Sequence, residues 1–201
     1  MSLDITVPDD SRVSVQSHNG RIQVANIKGD LSGESHNGAI EIINTDTNPK
    51  ECTMKTHNGP IRCQGVNGRS HLETYNGRIQ VRDMSGDMEL LTHNEGITAE
   101  EISGNITAQS YNGEVQVAYR PEAGKACQVR LISHNGGIDF VAPTDFSATV
   151  EVRTHNGSID TELPITIRGK IDKEVKGVIG SGEGRLWVER YNGNIKLRPK
   201  R

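Results

Sequence analysis

Apolar and polar residues alternate in short runs along most of this chain, as in Ile22-Gln23-Val24, Ile40-Glu41-Ile42 and Ile79-Gln80-Val81. A period of two places one set of side chains on one face of an extended backbone, so these runs predict strands with one face buried. Between them recurs a turn signature, Ser/Thr–His/Tyr–Asn–Gly. Its Asn stands at Asn19, Asn37, Asn58, Asn76, Asn94, Asn112, Asn135, Asn156 and Asn192. Four of the eight intervals are 18 residues, two are 21, one is 23 and the last is 36, read as two periods with one signature missing. A register of that kind is the mark of a repeat architecture.

Alignment on the Asn sorts the sequence into columns. Three residues after it stand Ile22, Ile40, Ile61, Ile79, Ile97, Val115, Ile138, Ile159 and Ile195, all β-branched. Five after it the residues are again mostly apolar, from Val24 and Ile42 to Phe140 and Leu197. Four and six residues before it are two more apolar columns, among them Met54, Leu72 and Leu90, and Leu31, Met88 and Ile106. The positions between carry Arg, Gln, Glu, Asp, Lys and Thr. Each period therefore holds two short strands, with a second corner often marked by glycine, as at Gly29, Gly68, Gly86 and Gly104.

One such unit cannot bury its apolar face alone. Stacked units about 4.8 Å apart can, by lining the columns into a continuous thin core. The predicted fold is all-β, a β-solenoid or β-helix-like stack of ~18-residue two-strand repeats. It forms one repeat domain over 1–201: repeats across 4–159, a hairpin insertion at about 160–185, and a terminal repeat at 186–198. A pile of Asn-Gly hairpins is the competing arrangement, since Asn-Gly between alternating runs is also a strong hairpin signal.

The turn residues are assigned structural work: Asn19 and Gly20, Asn37 and Gly38, Asn58 and Gly59, Asn76 and Gly77, Asn112 and Gly113, Asn135 and Gly136, Asn156 and Gly157, Asn192 and Gly193. Glycine is expected there for its tolerance of positive φ. The repeated Asn predicts a ladder of stacked amides. Ser or Thr two residues before the Asn has inward parity, Arg190 excepted, and its hydroxyl is expected to bond the corner backbone. At Asn94-Glu95-Gly96 the glycine is displaced by one, so that corner must differ.

The residue before the Asn is the column most open to a functional reading. It holds His18, His36, His57, Tyr75, His93, Tyr111, His134, His155 and Tyr191. Stacked rings along one edge would cover the corner. They are the candidate ligand-binding residues. A metal is not expected there, because side chains spaced along a line do not converge on one tetrahedral centre. Charged neighbouring imidazoles repel, so stability is predicted to fall as pH drops through about 6.5.

Composition narrows the picture. Aromatic residues are only 3% and hydrophobic residues 33%, which suits a thin aliphatic core rather than a wide one. The net charge of −3, with no basic run beyond Arg198-Pro199-Lys200-Arg201, argues against a nucleic-acid partner. No 18-residue apolar window exists, so no membrane span is expected within the chain. The start lacks the features of a secretory signal. Met1-Ser2-Leu3 reads as a cloning leader, so a signal or anchor would stand upstream. Cys52, Cys63 and Cys127 share no metal-ligand spacing and fall in apolar columns, where they read as small buried hydrophobes; a Cys52–Cys63 bridge is the lesser alternative.

Signals for catalysis are weak. Gly177-Val178-Ile179-Gly180-Ser181-Gly182 resembles a phosphate loop, but a strand-like Arg185–Glu189 follows where a helix is needed, so a tight turn is the reading. Asp139 and Asp160 fall in one outward column on successive repeats, where paired carboxylates could serve glycoside hydrolysis. No aromatic sugar platform accompanies them. The regularly placed Asp of calcium-binding β-rolls is absent, and no cofactor site or catalytic residue is assigned.

With the columns in hand, the recurring Thr/Ser-x-Asn-Gly-x-Ile corner resembles a bacterial adhesin-like family of β-strand-repeat proteins, a domain of unknown function of the toastrack type. The C-terminal part carries the most specific match. It runs from Phe146-Ser147-Ala148 through Thr154-His155-Asn156-Gly157-Ser158-Ile159 and Leu163-Pro164. Lys176-Gly177-Val178-Ile179-Gly180, Leu186-Trp187-Val188 and Tyr191-Asn192-Gly193-Asn194-Ile195 complete it. Histidine is commoner in this corner than in that family. The resemblance implies a surface-exposed or membrane-associated module with no assigned catalytic residues. The expected function is therefore a non-catalytic structural or binding module, with a surface glycan or a protein as partner and self-association through exposed solenoid ends. A carbohydrate-active β-helix enzyme and an accessory domain of a membrane stress-response system are the alternatives.

Overall fold

The columns become ladders of strands. A computed structural model describes residues 4–167 and 173–200, so residues 1–3 and the middle of the 160–185 insertion lie outside the described residues. Strands β1 (Val13–Ser17), β2 (Ile22–Ala25), β3 (Leu31–Ser35), β4 (Ile40–Thr56), β5 (Ile61–Thr74) and β6 (Ile79–Arg82) wind the first coils. They continue through β7 (Ser85–Thr92), β8 (Ile97–Ser110), β9 (Val115–Tyr119), β10 (Gln128–Ser133) and β11 (Ile138–Ala142). No helix occurs among the described residues.

Pairing between these coils is parallel throughout, with Ile22 opposite Ile40, Ile40 opposite Ile61 and Ile61 opposite Ile79. Hairpins would pair antiparallel, so the β-solenoid is the architecture and the hairpin pile is not. The register advances by 18 residues in most steps, as from Ile79 to Ile97, and by 21 or 23 where a loop is longer. Identical columns then pile into one core of Ile, Val, Leu and Met, with Ile40, Ile61, Ile79 and Ile97 fully buried. Cys52 and Cys63 lie in that core and Cys127 at its margin, all three as free thiols. Burial pushes the Cys52 thiol up to about 12, so it is inert at neutral pH.

The second corner is richer than its glycines suggested. Asn26, Asn44, Gly65, Asp83 and Glu101 all adopt left-handed backbone, with φ between 50° and 65°. They sit seven residues after the ladder Asn and turn the next residue, such as Val66, Met84 or Ile102, back into the core. Asn and Asp tolerate that conformation best, and their occurrence in this column was the available signal.

The end of the stack departs from the expected order. After the first eleven strands the chain runs out to β12 (Ala148–Asn156) and β13 (Ile159–Thr161). It then turns back through β14 (Thr166–Ile167) and β15 (Glu174–Ile179), and finishes in β16 (Gly184–Asn192) and β17 (Ile195–Pro199). The β16 strand pairs with β10 on one side and β12 on the other, and β17 lies likewise between β11 and β13. The terminal repeat is thus inserted between the coils of Asn135 and Asn156 rather than stacked after them. A 36-residue interval is not a missing signature; it is the length of the excursion and return.

Antiparallel β15 covers the outer edge of β12, which shields the C-terminal sheet edge. The glycine-rich segment before β16 is a turn, with Gly180 at φ 60° and Gly182 at φ 77°. Its Gly182 N–H is held by the Ser147 hydroxyl at 3.0 Å. At the opposite end, β1 and β2 have a partner on one side only.

A corner of amides and rings

Each Asn side chain donates from Nδ2 to Oδ1 of the preceding rung: Asn37 to Asn19 at 2.7 Å, Asn58 to Asn37 at 2.6 Å and Asn76 to Asn58 at 2.7 Å. Asn94, Asn112 and Asn135 continue the ladder at 2.5–2.9 Å. Asn192 then donates to Asn135 at 2.9 Å and Asn156 to Asn192 at 3.0 Å. The ladder has a direction, with an open amide N–H at Asn19 and an open carbonyl at Asn156.

At six corners the hydroxyl before the ring accepts from the corner glycine N–H, as expected. Thr74 Oγ1 accepts from the Gly77 N–H at 3.1 Å and donates to the Gly59 carbonyl of the coil below at 3.0 Å. Buried Ser35, Thr56, Thr92, Ser110 and Ser133 occupy the same column. Arg190 replaces the hydroxyl in the inserted coil and is only 3% exposed. Its guanidinium donates to the Asn192 carbonyl, while Nε and Nη1 have no partner. Burial draws its pKa down from the ordinary arginine value.

The reason for glycine differs from the expected one. Gly20, Gly38, Gly59, Gly77, Gly113 and Gly136 do not have positive φ; of the glycines that follow a ladder Asn, only Gly157 and Gly193 do. A Cβ at Gly59 would instead lie 2.0 Å from the Gly38 carbonyl oxygen, and one at Gly77 1.9 Å from that of Gly59. Backbones of successive coils approach too closely here for any side chain.

All nine candidate rings stand in one column. His18, His36, His57, Tyr75, His93 and Tyr111 stack with centroids 4.6–5.1 Å apart and planes within 7°. Because the terminal coil is inserted, Tyr191 sits between His134 and His155 at 4.5 Å from each. From His57 onward the column alternates imidazole and phenol, so imidazoles touch only at His18, His36 and His57.

Ring faces are covered by their neighbours, while the edges look outward; Tyr75 is 46% exposed. Beside the rings runs a shallow groove of about 910 Å³. Its far wall is the outward column of Gln16, Glu34, Lys55, Glu73, Leu91 and Gln109. Lys55 and Glu73 pair at 2.8 Å, and the ammonium holds the Glu73 carboxyl below the usual carboxylate range. Among the described residues no cluster of three or more His, Cys, Asp or Glu could hold a metal ion.

Asp139 and Asp160 are not neighbours. Lys196 of the inserted coil lies in register between them, and Asp139 pairs with Arg198. A second depression, missed in the sequence, brings Trp187 beside Arg130, whose guanidinium lies 4.3 Å from the indole centroid. His71 shares that depression and approaches Glu89 at 2.8 Å. The 57-residue offset between β10 and β16 hid this pairing, because Trp187 lies far along the chain from Arg130.

The stacked amides, rings and closing hairpin agree with a profile match over residues 1–198 to a family described as Toastrack DUF4097. The chain belongs to the Toastrack DUF4097 family. Comparison with curated proteins and with solved structures returns no match. In this toastrack chain no helix is long and apolar enough to cross a membrane among the described residues.

Proposed function

We propose that this toastrack solenoid is a non-catalytic binding module that holds an extended polyhydroxylated chain, such as a surface glycan, along the ring ridge. The observation that carries this reading is the groove, which runs without interruption across the coils of Asn19 to Asn112. Its walls offer the imidazole nitrogens of four histidines, the Tyr75 hydroxyl, and the carboxylates and amides of Glu34, Glu73, Gln16 and Gln109. Such groups bond sugar hydroxyls, and a long shallow groove suits a polymer better than a small molecule. Rigidity helps as well, since the rungs are fixed before the ligand arrives and little ordering cost remains.

The reading of Asp139 and Asp160 as a hydrolytic pair draws no support from their placement, because the strand of Lys196 separates them and Asp139 pairs with Arg198. A glycan array combined with reducing-sugar detection tests both functions. Binding without turnover is expected, together with at least about tenfold weaker binding, or 1.4 kcal/mol, in the double variant His57→Ala, Tyr75→Ala. Turnover that disappears in Asp139→Asn or Asp160→Asn would establish the enzyme instead.

A further inference from the structure

Asn-Gly is the dipeptide in which an asparagine side chain is most easily attacked by the following backbone nitrogen, and this fold uses it at almost every corner. The attack needs a glycine N–H free to leave its hydrogen bond and an amide free to turn towards it. Six corners deny the first condition. The N–H groups of Gly20, Gly38, Gly59, Gly77, Gly113 and Gly136 donate to the upstream hydroxyl at 2.8–3.3 Å. At Gly193 the N–H is taken by the Asn156 carbonyl at 2.6 Å, and the Asn192 amide is held on both sides by the ladder. Asn67, which precedes Gly68 outside the ladder, has its amide held by Asp46 and Ser85.

The Asn156 corner is different on each count. Thr154 Oγ1 turns to the Gly193 carbonyl at 3.5 Å, and the Gly157 N–H makes no hydrogen bond among the described residues. The Asn156 amide is tied only through Nδ2, to Asn192. His155, Asn156, Gly157 and Ser158 are all exposed, past the Thr154 N–H that donates to the Lys173 carbonyl just ahead of β15. The geometry points to Asn156-Gly157 as a spontaneous deamidation site, with the remaining Asn-Gly pairs protected by the hydrogen bonds on their glycine N–H groups or asparagine amides.

The chemistry requires only water. The Gly157 nitrogen loses its proton and bonds to Asn156 Cγ, and the amide nitrogen leaves as ammonia with that proton. The resulting five-membered imide adds water at one of its two carbonyls and opens to aspartate or isoaspartate. Either product loses the donor to Asn192 Oδ1, and isoaspartate also lengthens the backbone by one atom at the last residue of β12. The final rung of the ladder is thereby released from β16.

Asn19 provides an internal control. It is also a terminal rung, tied to one neighbour and exposed, but its Gly20 N–H is clamped by Ser17 at 2.8 Å. The full chain would be held folded in mildly alkaline buffer and the amide-to-acid mass change followed peptide by peptide. Asn156 should convert several-fold faster than Asn19. Ser17→Ala should raise the Asn19 rate to that of Asn156, while Ser17→Thr, which keeps the hydroxyl, should leave it slow. Equal rates at the two rungs in the parent protein, or an Asn19 rate indifferent to Ser17→Ala, would overturn the inference.

Discussion

Val188→Asp is expected to split thermal unfolding into two transitions. Val188 is fully buried and stands between Leu131 of β10 and Val152 of β12. A carboxylate there has water on neither side, at a cost of about 4 kcal/mol. In a stack whose coils contact only their neighbours, the damage stays local. The coils from Asn19 to Asn112 should therefore keep their β signal in circular dichroism. The C-terminal coils should melt at lower temperature. Trp187, the single tryptophan, lies in the damaged strand, so its fluorescence reports that first transition alone. The same change at Val15, half-buried with a partner strand on one side only, should cost about 1–2 kcal/mol and leave one transition. Coincident fluorescence and dichroism curves for Val188→Asp would show that the inserted coil does not hold the end together.

A second large effect is expected from Gly59→Ala, and a small one from Gly20→Ala. Both glycines follow a ladder Asn and neither has positive φ. At Gly59 the new methyl meets main-chain atoms of the coil below at 2.0 and 2.5 Å, and that backbone is pinned by its own ladder. About 3 kcal/mol should be lost, read as a lowered urea midpoint. At Gly20 the nearest contact is the Ser17 hydroxyl at 2.8 Å, with no coil beneath, and the loss should stay below about 1 kcal/mol. Equal losses at the two positions would return the explanation to backbone conformation.

These two cases show where the sequence was informative. The Ile column, the Asn ladder and the ring column were readable because each rests on a residue type repeated at a fixed step, and in-register stacking turns a step into a contact. What makes Gly59 glycine was not readable, since the same residue serves positive φ and close approach, and only the coil below distinguishes them. The left-handed corner at Asn26, Asn44, Gly65, Asp83 and Glu101 escaped notice because four residue types share one conformation. The order of the last coils was hidden more deeply. Residues 186–198 carry the ordinary pattern of a repeat, and nothing in that pattern says which two coils it separates. The candidate rings were all found in the sequence; their alternation was not, because it arises only when Tyr191 slips between His134 and His155.

The inserted coil also governs when the protein can be finished. A solenoid wound in sequence order could be laid down turn by turn as the polypeptide emerges from the ribosome. Here the slot between β10 and β12 must wait for residues 184–200, made after every other strand of the stack, and until then two strand edges stand open. An unfilled slot accepts the matching strand of any molecule, so crowding of nascent chains favours exchange of the final coil between two copies.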